Sequence, residues 1–337
     1  MFRSLHICLL AGVVGLAACK KAPGIDLRPT HDTRRGLSSE IAEAGHLPER
    51  LARPDLADLV LLYGAEAGGA LGPCGCDKQP RGGLARIKTY ADETRARSPD
   101  APVWLVDAGG WLDSTLDFHG APRLDAMAAN DWMVRGLNVL HPVALNISWS
   151  DLSTLPGFDT PPDLPLVSAH ITGPGIAPYI ERTLADRRVV FTGIAHQGPP
   201  MLVPEGYEMT DPVAGVRAAL AAADVQPDDL VVLLSSESNA AGTTIAEAGL
   251  VDVVIDARQH RYRDPPFRSG DAVWVKAHHQ TLRLGELRIR VQDGRASWAL
   301  DRKIDLDTDI PDDPTLARWA KQAEREVQLV RQTRYGL

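Results

Sequence analysis

The feature that most constrains the fold of this chain is an alternation of short apolar runs with longer amphipathic stretches. Residues 59–63 and 103–106 are continuous apolar runs, which are typical of parallel strands buried on both faces. Residues 83–97 between them have the pattern of a helix. Further strands are predicted at 139–145, 164–168, 188–193, 230–234, 251–255 and 272–276, and further helices at 123–137 and 211–223. This order predicts an α/β fold in which two β-sheets form a sandwich flanked by helices.

The C-terminal part of the chain changes from this order to a hairpin and a helix. Residues 282–291 alternate apolar and polar side chains, and Asp293-Gly294 predicts a tight turn into a strand at 296–300. Residues 313–335 then place their apolar side chains on one helical face. We expect this C-terminal amphipathic helix to be a brace packed on the domain rather than a docking element for a partner.

The composition disfavours several classes of protein. With 44% hydrophobic and 24% charged residues, the chain has the balance of an ordinary globular protein, not of a disordered or polytopic membrane protein. Its formal net charge of −8 disfavours a dedicated nucleic-acid binder, because such domains usually carry a basic surface. We therefore expect no nucleic acid among its partners.

The first residues are typical of an export signal. Arg3 precedes an apolar run at 5–16 that is too short for a comfortable membrane span. The run ends in LAAC at 16–19, which resembles a bacterial lipobox. The resemblance implies that residues 1–18 are a lipoprotein signal peptide and that Cys19 is lipidated. An ordinary signal peptide with an incidental cysteine is the alternative.

The segment after this signal is predicted to space a domain from the membrane. Residues 19–54 are polar, contain four prolines and lack a sustained period, which is typical of a tether. Lys20, in place of an aspartate, implies the outer membrane, with the domain facing the periplasm or the cell surface. The membrane is thus an expected partner through the lipid anchor. Residues 55–337 form the predicted domain.

Six segments of this predicted domain carry the motifs that bear on function. They are LLYGAEAGGALGPCGCDKQPRGGLAR at 61–86, VWLVDAGG at 103–110, VALN at 143–146, VVLLSS at 231–236, VDVVIDARQH at 251–260 and LRLGEL at 282–287. In this order and spacing the chain resembles the calcineurin-like metallophosphoesterases of the 5′-nucleotidase type. The resemblance implies a metallophosphoesterase-like fold. In an active member it also implies two divalent metals that activate a hydroxide to attack a phosphate.

The resemblance also implies where the metal ligands should stand, and most of them are replaced. The corresponding residues are Ala65-Glu66-Ala67, Gly109-Gly110, Asn146-Ile147, Ser235-Ser236 and Ala257-Arg258-Gln259-His260. Only Asn146 and His260 retain a ligand of the family, and these two residues alone cannot hold two hard divalent ions. We therefore expect a degenerate site that does not bind the two metals of the family.

Two departures from the family are shared with a subset of similar secreted proteins. One is the Pro-Cys-Gly-Cys element at 73–76, and the other is the polar segment at 146–152 that ends in Asp-Leu. Some members of the subset accompany c-type cytochromes, which implies envelope redox proteins as partners. The chain itself has no Cys-x-x-Cys-His site for a haem.

Two cysteines of the mature domain, Cys74 and Cys76, remain after Cys8 leaves with the signal and Cys19 is acylated. A Cys74–Cys76 disulfide that staples a small loop is the simplest expectation in an oxidising envelope. One alternative is a strained, reducible pair that takes part in redox exchange. Another is a soft-metal site for Cu(I) or Zn(II), with His260 as a third ligand.

The same loop leads into a helix start with the features of an anion site. Gly82 and Gly83 offer backbone N–H groups, and Arg86 adds positive charge. Arg258 stands where the family has a histidine and is a further candidate to bind an anionic small molecule. The alternative is that these residues only begin and solvate the helix.

Three functions stay open from the sequence, and we favour a non-hydrolytic domain that binds a ligand or a partner. The second is an active phosphoesterase or nucleotidase whose atypical metal set is drawn from Glu66, Asn146, His260 and a thiolate. The third is thiol-redox chemistry or soft-metal handling through Cys74 and Cys76.

Overall fold

The computed structural model describes residues 57–336 apart from 75–79, 186, 237–238, 258–265 and 293–294. The predictions of a signal peptide at 1–18, of lipidation at Cys19 and of a tether at 19–54 lie outside the described residues. No helix within the described ranges has both the length and the apolar character needed to cross a bilayer.

The described residues form strands and helices in alternating order. The strands are β1 (Leu59–Gly64), β2 (Val103–Asp107), β3 (Ala144–Asn146), β4 (Leu166–Val167), β5 (Ile171–Thr172), β6 (Ile176–Ala177), β7 (Ile180–Leu184), β8 (Arg187–Ala195), β9 (Glu208–Met209), β10 (Leu230–Ser236), β11 (Val253–Asp256), β12 (Phe267–Ser269), β13 (Ala272–Lys276), β14 (Arg283–Gln292) and β15 (Arg295–Asp305). The helices are α1 (Leu84–Arg97), α2 (Leu124–Leu140), α3 (Trp149–Thr154), α4 (Pro212–Ala222), α5 (Asn239–Glu247) and α6 (Pro314–Val330), which continues into a π-helical turn at Arg331–Tyr335.

Two large sheets contain most of the strands. The first has the order β15-β14-β1-β2-β3-β4-β6, and the second has the order β12-β13-β11-β10-β8-β7. Neighbouring strands from β1 to β6 in the first sheet are parallel, as are β8, β10, β11 and β13 in the second. Antiparallel strands complete the edges of both sheets. They are β14 and β15 at one edge of the first sheet, and β12 and β7 at the two edges of the second. The parallel strands of a sheet therefore end at one edge, where α/β folds place their ligand sites.

The two sheets pack face to face between two layers of helices. In β1, Val60 and Leu62 pack in the core beneath α1, α2 and α6. Leu61 and Tyr63 of the same strand pack in the core between the sheets. A third core, which includes Val216 of α4, fills the space between the second sheet and α4 and α5. The predicted class, two sheets flanked by helices, is confirmed.

The element boundaries contain one clear error of sequence interpretation. The strand predicted at 139–145 is wrong in its first half, because α2 extends to Leu140. His141 ends the helix with a φ of 51°, and only Ala144–Asn146 forms a strand. The apolar pair at the end of α2 has no periodicity of its own, so sequence pattern cannot divide it between a helix and a strand.

The C-terminal helix is confirmed, and it packs across α2. Asp313 begins α6 by accepting hydrogen bonds from the backbone N–H groups of Thr315 and Leu316, at 3.0 and 2.9 Å. Trp132 Nε1 of α2 donates to Glu326 Oε2 of α6 at 2.8 Å. These contacts fit the expected brace.

Candidate functional site

A cavity of about 510 Å³ opens at the carboxyl ends of β1, β2, β3 and β10. The residues that line it come mainly from the loops after these strands, where the family resemblance predicts the metal ligands. They include Glu66, Ala67, Cys74, Gly109, Gly110, Ser148, Trp149, Ser150, Ser236 and Gln280. A larger groove of about 830 Å³ lies among α1, α2 and α6, but its lining contains none of those positions. The smaller cavity is therefore the candidate functional site.

The loop after β1 is joined to the loop after β2 by backbone hydrogen bonds. The N–H of Glu66 donates to Gly109 O at 2.8 Å, and the N–H of Gly68 donates to Gly110 O at 2.9 Å. Glu66 adopts a φ of 54°, which is uncommon for a residue with a side chain. On either side of it, Ala65 and Ala67 present buried methyl groups. The loop is thus held tightly where the family has an aspartate and a histidine.

The two glycines after β2 close the position at which the family has a bridging carboxylate. Gly109 and Gly110 have φ values of 112° and 80°, a region that glycine adopts at little cost. A Cβ atom at position 110 would lie 3.0 Å from Cγ of Glu66, and one at 109 would lie 3.1 Å from Cβ of Ser148. The side chain of Glu66 therefore occupies the space that a residue at position 110 would need.

The amide of Asn146 is fixed in one orientation by the backbone around it. Its Nδ2 donates to Ala108 O and Ile194 O, both at 2.9 Å, and lies 3.4 Å from Ser236 Oγ. Among the described residues its buried Oδ1 has no hydrogen-bond partner, and it lies so close to Gly193 that a Cβ there would be 2.1 Å away. The two backbone carbonyls thus take the N–H atoms of the amide, and its oxygen faces Gly193.

Asp151 organises the loops below the cavity, and it is a residue that our site prediction missed. Its carboxylate accepts hydrogen bonds from the N–H groups of Gly110, Leu112 and Ser148 at 2.7, 2.9 and 2.9 Å, and from Ser148 Oγ at 2.6 Å. Ser148 Oγ in turn accepts from the N–H of Asp151 at 3.1 Å and so completes a capping box at the start of α3. The Ser-x-x-Asp spacing at 148–151 is a sequence signal that could have indicated the capping box, but not the contacts of Asp151 with Gly110 and Leu112.

Carboxyl groups near the cavity hold their protons more strongly than free ones. Desolvation raises the pKa of Asp107 to about 8, and the charges of Asp151 and Glu66 add to the rise, against a hydrogen bond from the N–H of Gly109. Desolvation also raises the pKa of Asp151, although its hydrogen bonds oppose the shift. Neither Asp107 nor Asp151 forms an ion pair with a described residue. In the part of the chain that the structure describes, no cation pairs with these two groups to keep them ionised.

The helix start that was predicted as an anion site has internal hydrogen-bond partners. The N–H of Gly82 donates to Leu306 O at 2.7 Å, and the N–H of Gly83 lies 3.3 Å from Thr281 Oγ1. Arg86 is buried and donates through NH1 to Pro80 O and to Leu306 O at 2.7 and 3.0 Å. An anion would have to compete with these acceptors, so binding here stays a prediction.

The guanidinium of Arg86 has a further partner at the start of the C-terminal brace. Its Nε lies 3.0 Å from Oδ1 of Asp312. Together with the bonds to Leu306 and Pro80, this pair ties α1 to the segment between β15 and α6. Arg86 does not line the cavity.

Cys74 lies at the cavity, whereas its predicted partners lie outside the described residues. Its side chain is exposed, and its backbone N–H and C=O pair with Arg81 at 2.7 and 3.0 Å. Cys76, Arg258 and His260 are not among the described residues, so the disulfide, the soft-metal site and the cationic contact stay predictions. Among the described residues, no group of three or more His, Cys, Asp or Glu side chains is arranged to hold a metal ion.

Solved structures share this arrangement of sheets and helices. The sulfate thiohydrolase SoxB of Thermus thermophilus, in complex with glycerol, matches with a TM-score of 0.66 and 14% identity over 81% of this chain and 61% of its own. A 5′-nucleotidase precursor from the same organism matches with a TM-score of 0.61 and 17% identity, over 80% and 59% of the two chains. The NAD nucleotidase of Haemophilus influenzae matches with a TM-score of 0.60 and 13% identity, over 81% and 61%.

This chain has the fold of the calcineurin-like metallophosphoesterases of the 5′-nucleotidase type. It spans about three fifths of the length of these solved proteins. No protein-family model matches the sequence, and no curated protein matches it significantly. At such low identity the likeness establishes the fold alone, so function has to be argued from the cavity.

Proposed function

We propose that this chain is an envelope lipoprotein whose metallophosphoesterase-like domain binds a ligand or a protein partner without hydrolysing it. The observation that carries the proposal is the orientation of Asn146. Two backbone carbonyls take the two N–H atoms of its amide, and its Oδ1 is buried against Gly193, so the amide is poorly placed to supply the acceptor oxygen that a cation in the cavity requires. In this proposal Asn146, which the chain shares with the family it resembles, has a structural role and does not bind a metal.

The other side chains at the cavity do not fit the two divalent metals that the fold family implies. Such ions need several carboxylate or imidazole ligands around one point. The matching positions after β1 and β2 are alanines and glycines, and the space at position 110 is occupied by Glu66.

Besides Glu66 and Cys74, the cavity offers a set of neutral hydrogen-bonding groups. Ser148, Ser150 and Ser236 carry hydroxyls, Gln280 carries an amide, and Trp149 adds an aromatic surface. A few polar groups beside an aromatic side chain in a cavity of this size are typical of a binding site. This composition supports recognition rather than hydrolysis.

Hydrolysis and metal binding can be tested together on the mature protein. We expect no turnover of p-nitrophenyl phosphate esters or nucleotides with added Mn²⁺, and no rise in the melting temperature with Mn²⁺, because an ion that binds only the folded state must stabilise it. Asn146→Ala and Glu66→Ala should leave both results unchanged. Turnover that depends on Mn²⁺ and disappears in Glu66→Ala would instead establish an active phosphoesterase.

The envelope location depends on Cys19 and has a separate test. The intact chain should fractionate with membranes, and the Cys19→Ala variant should lose that association because the acyl chains supply the anchoring free energy. Recovery of Cys19→Ala in the membrane fraction at wild-type level would contradict lipidation as the anchor.

A thiol function is a second candidate, because Cys74 is exposed and lines the cavity. A thiol that is accessible there could exchange with a partner's disulfide if Cys76 resolves the mixed disulfide. Alkylation and mass spectrometry of the mature protein, before and after mild reductant, test this candidate. If the two thiols stay oxidised in mild reductant, redox exchange is excluded.

A further inference from the structure

A rigid hairpin beside the cavity exposes an aromatic side chain at its tip. The segment 115–123 follows the cavity-lining Ser114, and the side chain of Phe118 within it is 91% exposed. Asp117 Oδ1 accepts hydrogen bonds from the N–H groups of His119 and Ala121 at 2.8 and 3.0 Å. The hairpin is therefore preorganised by its own hydrogen bonds, although its most apolar residue lies in solvent.

A second loop at the same edge exposes two more apolar side chains. The segment 196–208 follows β8, whose last residue pairs with the cavity-lining Ser236. Its Gly198 lies against the ring of Trp149, since a Cβ there would be 2.2 Å from a ring carbon. Met201 and Leu202 in this loop are 83% and 60% exposed.

The two loops are connected through a third loop and through the turn at 173–175. In the loop 155–163, Gly157 lies beside Pro122 of the hairpin, where a Cβ would be 3.2 Å from the proline ring. Pro161 of this loop lies beside Gly175, where an added Cβ would be 3.1 Å from Cβ of Pro161. Tyr207 of the second loop packs on nearby Gly173. We call the segments 115–123, 155–163 and 196–208 together the acidic rim.

The charge of this rim is mainly negative. Residues 136–181 and 189–216 contain no lysine or arginine. Within them, exposed carboxylates stand on the second and third loops of the rim, at Asp159, Asp163, Glu205 and Glu208. The cation in the hairpin, Arg123, forms an ion pair with Asp125 at 2.9 Å. The rim thus combines exposed apolar side chains with unbalanced negative charge.

We propose that the acidic rim is the docking surface for a protein partner that presents lysine or arginine side chains around apolar ones. Exposed aromatic and methionine side chains on preorganised loops are typical of the centre of a protein interface. The surrounding carboxylates would steer a basic partner to the rim and repel an anionic bilayer. The proposal rests on the partner-binding role proposed above, but it does not depend on the loss of hydrolysis.

Synthetic peptides can probe this surface without knowledge of the natural partner. We would measure, by fluorescence anisotropy, the binding of the mature protein to a labelled peptide of Lys, Leu and Phe. Two matched peptides serve as controls. In one, Glu replaces every Lys, and in the other, Ser replaces every Leu and Phe. The peptide of Lys, Leu and Phe should bind, and its affinity should fall as the salt concentration rises. The other two peptides should bind at least about tenfold more weakly, because one lacks the positive charge and the other lacks the apolar side chains.

Variants of the rim locate the binding. Phe118→Ser and the double variant Met201→Ser/Leu202→Ser should each weaken binding of the basic apolar peptide about tenfold. Leu329→Ser is the matched control, because Leu329 is 59% exposed on α6 and not part of the rim. It should bind as the wild type does. Circular dichroism spectra and melting temperatures establish that each variant is folded.

Three outcomes would overturn the proposal. They are equal binding by all variants, equal binding of the Glu peptide, and binding to vesicles of phosphatidylglycerol and phosphatidylethanolamine that Phe118→Ser abolishes. The last would make the rim a membrane surface. Mn²⁺-dependent turnover with intact peptide binding would refute the proposed function alone, whereas loss of peptide specificity without turnover would refute only the rim.

Discussion

Two buried carboxylates of this fold are satisfied in opposite ways. Asp151, below the cavity, receives three backbone N–H groups and a hydroxyl. Asp125, at the start of α2, pairs instead with Arg123 Nε at 2.9 Å and with Arg331 Nε at 2.8 Å. The pKa of Asp151 is raised by desolvation, whereas desolvation of Asp125 is outweighed by its two guanidinium partners, so that its pKa is lowered.

The difference shows which interactions hold each of these two regions together. A metal centre needs carboxylates that stay ionised and have oxygen lone pairs to spare. At the cavity, backbone donors use the lone pairs of Asp151, and Asp107 is protonated up to a pH of about 8. At the brace, ionised carboxylates persist because arginines accompany them. The cavity edge is therefore held together by hydrogen bonds from the backbone to Asp151, and the brace by ion pairs.

The largest expected effect comes from Asp151→Ala. The variant leaves three buried N–H groups without an acceptor, and we expect a loss of about 3–5 kcal/mol in the free energy of unfolding. Urea denaturation measures this loss. Asp151→Asn, which keeps one carbonyl acceptor, should lie between the alanine variant and the wild type. A loss of less than 1 kcal/mol in Asp151→Ala would contradict the assigned role.

Restoring the family's aspartate at position 110 should also destabilise the protein. Gly110→Asp forces a side chain onto a φ of 80° and places its Cβ 3.0 Å from Glu66 Cγ. We expect a loss of about 2–3 kcal/mol in the free energy of unfolding, without a gain in Mn²⁺ affinity. Gly120→Asp is a control, because its φ is 84° but no atom lies within 4 Å of an added Cβ. A smaller loss in the control isolates the contact with Glu66.

The raised pKa of Asp107 predicts a pH dependence of smaller size. A carboxyl whose pKa is about 8 in the folded state, against its ordinary value of 3.8, favours folding while it is protonated. This contribution is lost as the pH rises from about 4 through about 8. Asp107→Asn, which keeps an acceptor for Gly109, should match the wild type at pH 5 and exceed its stability by about 2 kcal/mol at pH 9. Equal melting temperatures at both pH values would refute the shift.

The smallest effect is expected at the brace. Arg331→Ala removes one of the two partners of Asp125, but the arginine is partly exposed, so solvent weakens the pair and we expect a loss of about 0.5–1 kcal/mol. Because the pKa of Asp125 is lowered, its contribution should be present above a pH of about 4 and disappear below it. Arg334→Ala, an exposed position on the same turn, is the control. An equal loss in both variants at neutral pH would argue against a specific pair.

The sequence was sufficient for most of the architecture because burial leaves a local pattern. Strands such as β10 are apolar on both faces, and the amphipathic period of α6 is continuous over its length. The sequence pattern did not predict α5, because its small and polar residues show no amphipathic period. There, Ile245 and Ala246 are buried only because the second sheet packs against them.

By itself, the sequence supports the prediction that most metal ligands of the family it resembles are replaced, since the side chain of an alanine or a glycine cannot coordinate an ion in any fold. It could not determine the orientation of Asn146, the space taken by Glu66 or the anchoring role of Asp151. Each of these depends on contacts between residues about 40 positions apart or more, such as Asp151 with Gly110. Only the tertiary structure decided them, because hydrogen-bond partners and excluded volume are set by the packing of separate loops.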